Sequence, residues 1–197
     1  ERERGVAGGG RERQLHMAHA YLDVSRRRPP FERSCVVTGG TGFMGAYLVH
    51  FLDQVAAELG GREVHILDVA PPRPDMPPPS ARTTTHQCTL SDGEAVERVF
   101  RAARPDTVFH AASLIDCRPH PDPSIDLINV DGTRMIIELC RKYEVRRLVY
   151  TSSIEVVYGS DPLSPEGMHG SVGATEERPY PPRPTQAYQR TKIEAER

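Results

Sequence analysis

Tyr188 and Lys192 stand four residues apart in AYQRTK, a spacing that puts both side chains on one face of a helix. An ammonium beside a phenol favours the phenolate, which brings the phenol's pKa down toward the working pH. A tyrosine in such a pair can take a proton from a substrate hydroxyl as hydride leaves, or return one to a carbonyl. Lysine is scarce in this chain: among 25 basic residues it occurs only at 142 and 192. The pair needs a partner hydroxyl near the end of a strand. YTSSIEVVYG offers Ser152 and Ser153, and because strand side chains alternate, one of the two points at the site.

A second set of residues suits a phosphate-bearing ligand. TGGTGFMG contains both G-x-G-x-x-G (Gly40, Gly42, Gly45) and G-x-x-G-x-x-G (Gly39, Gly42, Gly45). A glycine-rich turn from strand to helix lets the backbone approach a pyrophosphate while the helix N-terminus faces its charge. Asp68 closes the next apolar run, HILDV. A carboxylate there accepts hydrogen bonds from both adenosine ribose hydroxyls and repels a 2′-phosphate. No arginine follows it directly, so the pattern favours NAD over NADP.

The elements that must position these groups alternate. SCVVT reads as a strand ending in the glycine cluster. AYLVHFLDQVAAEL reads as a helix with Leu48, Phe51, Leu52, Val55 and Leu59 on one face. EVHILDV is a second strand, PPRPDMPPPS a surface loop and TTTHQCTL a third strand. SDGEAVERVFRAA is a helix with Ser91 or Asp92 as N-cap. DTVFHAA is a fourth strand, SIDLINVDGTRMIIELCRKY a helix with Gly132 near its middle, and RRLVYTSS a fifth strand. A long loop over 159–184 precedes a last helix in TQAYQRTKIEAER. This alternation predicts an α/β fold with a doubly wound, Rossmann-like parallel sheet and its ligand at the carboxyl ends of the strands. Five strands are visible where a complete dinucleotide fold has six or more, so the sheet reads as truncated on its C-terminal side. Residues 1–33, with eight arginines and a GGG run, read as a flexible extension in which RQLHMAHAYLDV has helical spacing. Residues 34–197 read as the dinucleotide-binding domain.

Composition excludes several alternatives. No apolar run reaches the ~18–20 residues that span a bilayer. The formal net charge of −2 gives no field to recruit nucleic acid or acidic lipid. Cys35, Cys88, Cys117 and Cys140 are far apart, with no C-x-x-C pair, and read as buried free thiols in a reducing compartment. The eight histidines are scattered without ligand pairs, so no zinc site is expected.

Taken together, these motifs resemble the extended short-chain dehydrogenase/reductase family. TGGTGFMG matches its T-G-x-x-G-x-x-G, VFHAAS at 108–113 resembles the segment lining the cofactor after the fourth strand, and NVDGT at 129–133 resembles its N-V-x-G-T. VFHAASLID and YTSSIEV look like the 3β-hydroxysteroid dehydrogenase/isomerase branch. The resemblance spans about residues 34–197. It implies that Ser153 orients the substrate oxygen (Ser152 if the register is shifted by one), that Tyr188 is the acid/base, and that Lys192 holds the nicotinamide ribose. It further implies cofactor contacts from Gly39, Gly42, Phe43, Met44, Gly45, Asp68, Leu90, His110, Ala111, Ala112, Tyr188 and Lys192. Asn129 is either a cofactor or proton-relay residue or a buried structural amide. The implied cofactor is NAD, and the implied reaction is oxidation of a secondary alcohol, the 3β-hydroxyl of a sterol or steroid. A homodimer is compatible with it. So is a place on the cytoplasmic side of the endoplasmic reticulum membrane, through an anchor in the later part of a family-length protein.

Two features depart from the family pattern. Where the family often has G-D-[ILV] after the third strand, this chain reads Cys88-Thr89-Leu90, which leaves backbone groups to meet the adenine. Family members also continue for on the order of a second domain, which builds the substrate pocket; residues 1–197 alone are therefore expected to be marginally folded, to bind NAD weakly and to lack turnover. Two other readings use the same residues. A nucleotide-sugar epimerase or dehydratase would employ the same Ser–Tyr–Lys set, and a non-catalytic dinucleotide-binding protein would need only the glycines and Asp68.

Overall fold

SCVVT carries small and β-branched residues on both faces, the pattern of a strand buried on both sides. In a computed structural model it forms β1 (Ser34–Thr38), buried throughout and central in the sheet. The structure describes residues 29–157, 175, 177 and 179–197, and the elements below all belong to the unit Phe31–Arg197. After β1 come α1 (Phe43–Leu59), β2 (Glu63–Asp68), β3 (Thr83–Gln87), α2 (Gly93–Ala103) and β4 (Thr107–His110). A π-helical turn (Leu127–Asp131) then leads into α3 (Gly132–Lys142). β5 (Arg147–Tyr150), a short 3-10 turn (Ile154–Val157) and α4 (Ala187–Glu196) complete the order.

All strand pairs are parallel, and the sheet order is β3-β2-β1-β4-β5. The chain runs outward from β1 through β2 to β3, then crosses back to β4 and β5. The order reverses between β1 and β4, so the carboxyl ends of these two strands open the crevice where doubly wound sheets bind ligands. Helix α1 covers one face, packing Val49, Leu52 and Val55 against Cys35, Val37 and Ile66. Helices α2 and α3 cover the other, where Phe100 and Ile136 pack against Val36, Leu67 and Val108. This is the expected Rossmann-like, doubly wound architecture.

Several local expectations change. Helix α1 begins at Phe43, and its buried stripe is Ala46, Val49, Leu52, Val55 and Ala56; Leu48 and Phe51 are half-buried and Leu59 is exposed. The glycine turn brings the start of α1 so close to β1 that small residues must face the sheet. Asp92, not Ser91, caps α2, accepting the Ala95 amide at 3.0 Å. The helix around Gly132 is interrupted by the π-helical turn that ends at Asp131; Leu90 packs against Gly132 itself, where a Cβ would lie 3.1 Å from it. Cys35 and Cys140 are buried, and burial raises their pKa values, that of Cys140 to about 11. Cys88 is half-buried and Cys117 exposed, so the buried-thiol reading fails for those two: Cys117 lies in a surface loop, away from the apolar segments. RQLHMAHAYLDV and most of the 159–184 loop lie outside the described residues.

Candidate active site

The glycine turn is built by contact. Gly39 has φ +69°, a left-handed conformation that favours glycine, and a Cβ there would meet the Ala112 backbone nitrogen at 2.6 Å. A Cβ on Gly45 would lie 2.0 Å from the Gly39 carbonyl oxygen. The turn is tied to β2 from both sides: the Gly39 amide donates to the Leu67 carbonyl at 2.9 Å, and the Thr41 amide to the Asp68 carboxylate at 2.9 Å. Gly42 caps α1 without a side-chain hydrogen bond, and no acidic residue occupies the first helical turn. The helix therefore presents open amides and the positive end of its dipole.

An open cleft of about 470 Å³ lies beside this turn, lined among others by Gly39, Gly42, Asp68, Leu90, Ala111 and Ala112. Asp68 faces it from the end of β2 while also accepting the Ala70 amide at 3.2 Å. Phe43 (73 % exposed) and Met44 (60 % exposed) do not line this cleft.

His110 and Asn129, expected at the cofactor, are 1 % and 2 % exposed, and both are hydrogen-bonded inside the protein. His110 Nδ1 meets the Thr38 hydroxyl at 2.6 Å and Nε2 meets that of Thr133 at 3.0 Å. Burial, then the nearby Lys192 charge, lowers its pKa to about 4. The Asn129 amide uses both ends: Oδ1 accepts from Leu114 N (2.7 Å) and Ser113 Oγ (3.2 Å), and Nδ2 donates to Leu114 O (2.9 Å) and Thr191 Oγ1 (3.0 Å). These side chains stand behind the cleft wall. His110 fixes the end of β4, and Asn129 ties the 111–114 segment to α4. For Asn129 this is the structural alternative of the sequence reading.

The second half of the site is α4 docked on the end of β5. Lys192 Nζ donates to the Thr151 carbonyl at 2.8 Å and lies 4.7 Å from the centre of the Tyr150 ring and 5.9 Å from that of Tyr188. Lys192 is 2 % exposed and Tyr188 8 %. Burial lowers the Lys192 pKa to about 8, against the opposing pull of Glu196. Gln189 Nε2 donates to the Glu155 carbonyl at 2.8 Å, so one helix face holds the segment carrying both serines. Ser153 Oγ accepts the Glu155 amide at 3.2 Å and starts the 3-10 turn. The Ser152 hydroxyl is buried with no hydrogen-bond partner among the described residues. Both serines line a second open cleft with Ile154, Val156 and Tyr180.

Residues 36–197 match the 3-beta hydroxysteroid dehydrogenase/isomerase family. The chain belongs to this family. Among its relatives is the 3beta-hydroxysteroid-dehydrogenase/decarboxylase isoform 1 of Arabidopsis thaliana, 34 % identical over 181 residues, covering 84 % of this chain and 37 % of the relative. Another is the decarboxylating sterol-4-alpha-carboxylate 3-dehydrogenase of Saccharomyces cerevisiae, 30 % identical over 171 residues, covering 83 % and 44 % respectively. Among solved structures, the UDP-glucose 4-epimerase of Thermus thermophilus in complex with NAD is 34 % identical with a TM-score of 0.63, over 83 % of this chain and 48 % of that one. The chain spans less than half the length of these relatives.

The sequence reading passed over Thr38, Thr133, Tyr150 and Thr191, which carry much of the geometry. Thr38 and Thr133 sit in the quoted motifs TGGTGFMG and NVDGT, so position within a motif was the available signal. Among the described residues no group of His, Cys, Asp and Glu is arranged to hold a metal ion. No helix among them is long and apolar enough to cross a membrane.

Proposed function

We propose that this chain is the dinucleotide-binding part of an NAD-dependent dehydrogenase that oxidises a secondary alcohol, the 3β-hydroxyl of a sterol or steroid. The observation that carries the reading is the docking of Tyr188 and Lys192 onto the end of β5, beside Ser152 and Ser153. This is the same carboxyl edge of the sheet where the glycine turn and Asp68 open their cleft. The relatives named for sterols and 3β-hydroxysteroids support the choice of substrate.

The residues present fit a dinucleotide. The uncapped start of α1 suits a pyrophosphate, with Gly39, Gly42, Gly45 and the amides of Phe43 and Met44 around it. Asp68 suits a ribose diol, and Leu90, Ala111 and Ala112 supply apolar wall for the base and ring. When bound, NAD supplies the hydride acceptor. The chain's own work is proton transfer and orientation. Ser153, or Ser152 with its unpartnered hydroxyl, orients the alcohol oxygen. The Tyr188 phenol accepts the hydroxyl proton. The Lys192 ammonium, buried and 5.9 Å from the centre of the Tyr188 ring, stabilises the charge that develops on the phenol.

Tyr188→Phe in a family-length protein should lower kcat by on the order of 10²–10⁴ while cofactor affinity, read by fluorescence titration, stays within about threefold. Wild-type turnover in that variant would remove Tyr188 from the role. The likeness to a UDP-glucose 4-epimerase favours a second reading, action on a nucleotide sugar. Assaying the same protein with sterol alcohols and UDP-sugars side by side separates the two.

A further inference from the structure

We propose that Tyr150 is a positioning residue for Lys192: the face of its ring carries the ammonium and holds it, together with the Thr151 carbonyl, level with Tyr188. The inference deepens the proposed reaction and rests on Tyr188 and Lys192 being its proton-transfer pair.

The geometry is that of a cation on a ring. Lys192 Nζ lies 4.7 Å from the Tyr150 ring centre, inside the ~6 Å at which an aromatic face attracts a cation. The Tyr188 ring is farther, at 5.9 Å. The residue after Tyr150 supplies the carbonyl that accepts the Nζ hydrogen bond at 2.8 Å. One dipeptide at the end of β5 therefore sets the ammonium's place. The Tyr150 ring is itself fixed, packed on the His110 imidazole at 5.6 Å between centroids with a 35° tilt, and His110 is pinned by Thr38 and Thr133. Two rings thus relay the centre of the sheet to the lysine.

The chemistry requires such a support. An ammonium this buried loses hydration and needs compensating partners to stay charged. From α4 itself it faces Tyr188 and Glu196, and from β4 the neutral His110. From β5 it faces the Tyr150 ring and the Thr151 carbonyl. Burial raises the pKa of the Tyr150 hydroxyl, so this ring stays a neutral quadrupole at working pH. An aliphatic residue at 150 would fill the space but offer no negative face.

The test measures the lysine directly. Residues 1–197 contain two lysines, so selective ¹³Cε-lysine labelling of this chain gives two resonances, and Lys192→Arg assigns one of them. The Lys192 signal is expected to titrate near 8 and to show ring-current-shifted ε protons. Tyr150→Phe should keep both signatures. Tyr150→Leu should remove the ring-current shift and lower the midpoint by about one pH unit. If Tyr150→Leu fails to fold, 4-fluoro- and 3,4,5-trifluorophenylalanine at position 150 keep the shape and weaken the ring face stepwise, and the midpoint should fall in the same steps. A midpoint indifferent to fluorination, or a Lys192 that titrates like a free lysine, overturns the proposal. With turnover assayed on a family-length protein, a ring-dependent lysine here without sterol turnover there would sustain this inference and sink the sterol reading. Turnover with a ring-indifferent lysine would do the reverse.

Discussion

His110 is held in one protonation state by a chain of hydrogen bonds with a single consistent direction. The Thr133 hydroxyl donates to the Asn129 carbonyl at 2.6 Å, so its oxygen accepts from His110 Nε2. Nδ1 then accepts from Thr38, whose oxygen takes the Ala112 amide at 3.2 Å. A second proton has no place in this array, and burial with the nearby Lys192 charge holds the pKa at about 4. In the unfolded chain the imidazole titrates at about 6.5. The folded value is the lower one, so His110 costs nothing above pH 6.5. Stability is lost as the pH falls from 6.5 toward 4, because the unfolded state takes a proton that the folded state refuses. The slope is ~1.4 kcal/mol per pH unit, and the loss reaches about 2–3 kcal/mol at pH 4.5. Urea unfolding at pH 7.5, 6.5, 5.5 and 4.5 on the wild type and His110→Gln reads this difference. The variant should start less stable by about 1–3 kcal/mol, because its amide matches the two hydroxyls imperfectly. Its curve should then fall less steeply below pH 6.5. His65 and His86, whose pKa values are also lowered by burial, act equally in both proteins and cancel. Parallel curves would refute the assignment of a neutral, proton-refusing His110.

Gly45→Ala places a Cβ 2.0 Å from the Gly39 carbonyl oxygen and 2.8 Å from two more backbone atoms. It should cost about 3 kcal/mol, a drop in Tm of roughly 6–12 °C, and abolish stabilisation by NAD. Gly61→Ala, with φ +63° but open space around it, should cost about 1–2 kcal/mol of backbone strain and leave any NAD stabilisation intact; equal effects of the two would deny the glycine turn its role. Asp68→Asn keeps an oxygen for the Thr41 amide but removes the charge that repels a 2′-phosphate. The ratio of NADP to NAD affinity should therefore rise by at least about tenfold, a modest electrostatic change of ~1.4 kcal/mol. An unchanged ratio in a fluorescence titration would take Asp68 off the ribose.

The sheet was legible because its strands are short apolar runs separated by helical spacing and punctuated by glycine, and no other fold class answers to that alternation. The cleft was legible for a related reason: Gly39, Gly45 and Asp68 act through backbone approach and charge, which residue type alone announces. Helix α1 was misaligned because a hydrophobicity pattern favours large residues, whereas the close approach at Gly45 selects Ala46 and Val49 for the sheet face. Motif membership put His110 and Asn129 at the cofactor. Their partners, Thr38, Thr133, Leu114 and Thr191, are far apart in the chain, and a pattern read along the sequence cannot pair residues across it. The Tyr150–Lys192 contact joins residues on two separate elements and leaves no mark in the sequence for the same reason.

Helix α4 shows why this polar framework matters to the chemistry. A helix docked by an apolar stripe can slide a little at small cost, since one methyl contact replaces another. The buried residues of α4 are Tyr188, Gln189, Thr191, Lys192 and Ile193, mostly polar, and three of the polar side chains are hydrogen-bonded to other elements. Gln189 reaches the Glu155 carbonyl, Thr191 the Asn129 amide and Lys192 the Thr151 carbonyl. Arg190 adds a two-pronged pair with Asp126 at 2.6 and 2.9 Å. A slip of one residue would strand three buried groups at once, at about 1–3 kcal/mol each, so the register of α4 is fixed far more sharply than packing could fix it. On the proposed reaction the consequence falls on Tyr188, whose oxygen would have to stand within about 3 Å of the substrate hydroxyl to take its proton. That precision comes from the anchored ends of β4 and β5, through bonds that exist before any ligand arrives. Substituting Thr191 or Gln189, which touch no reacting atom, should on this argument lower kcat while leaving the helix folded.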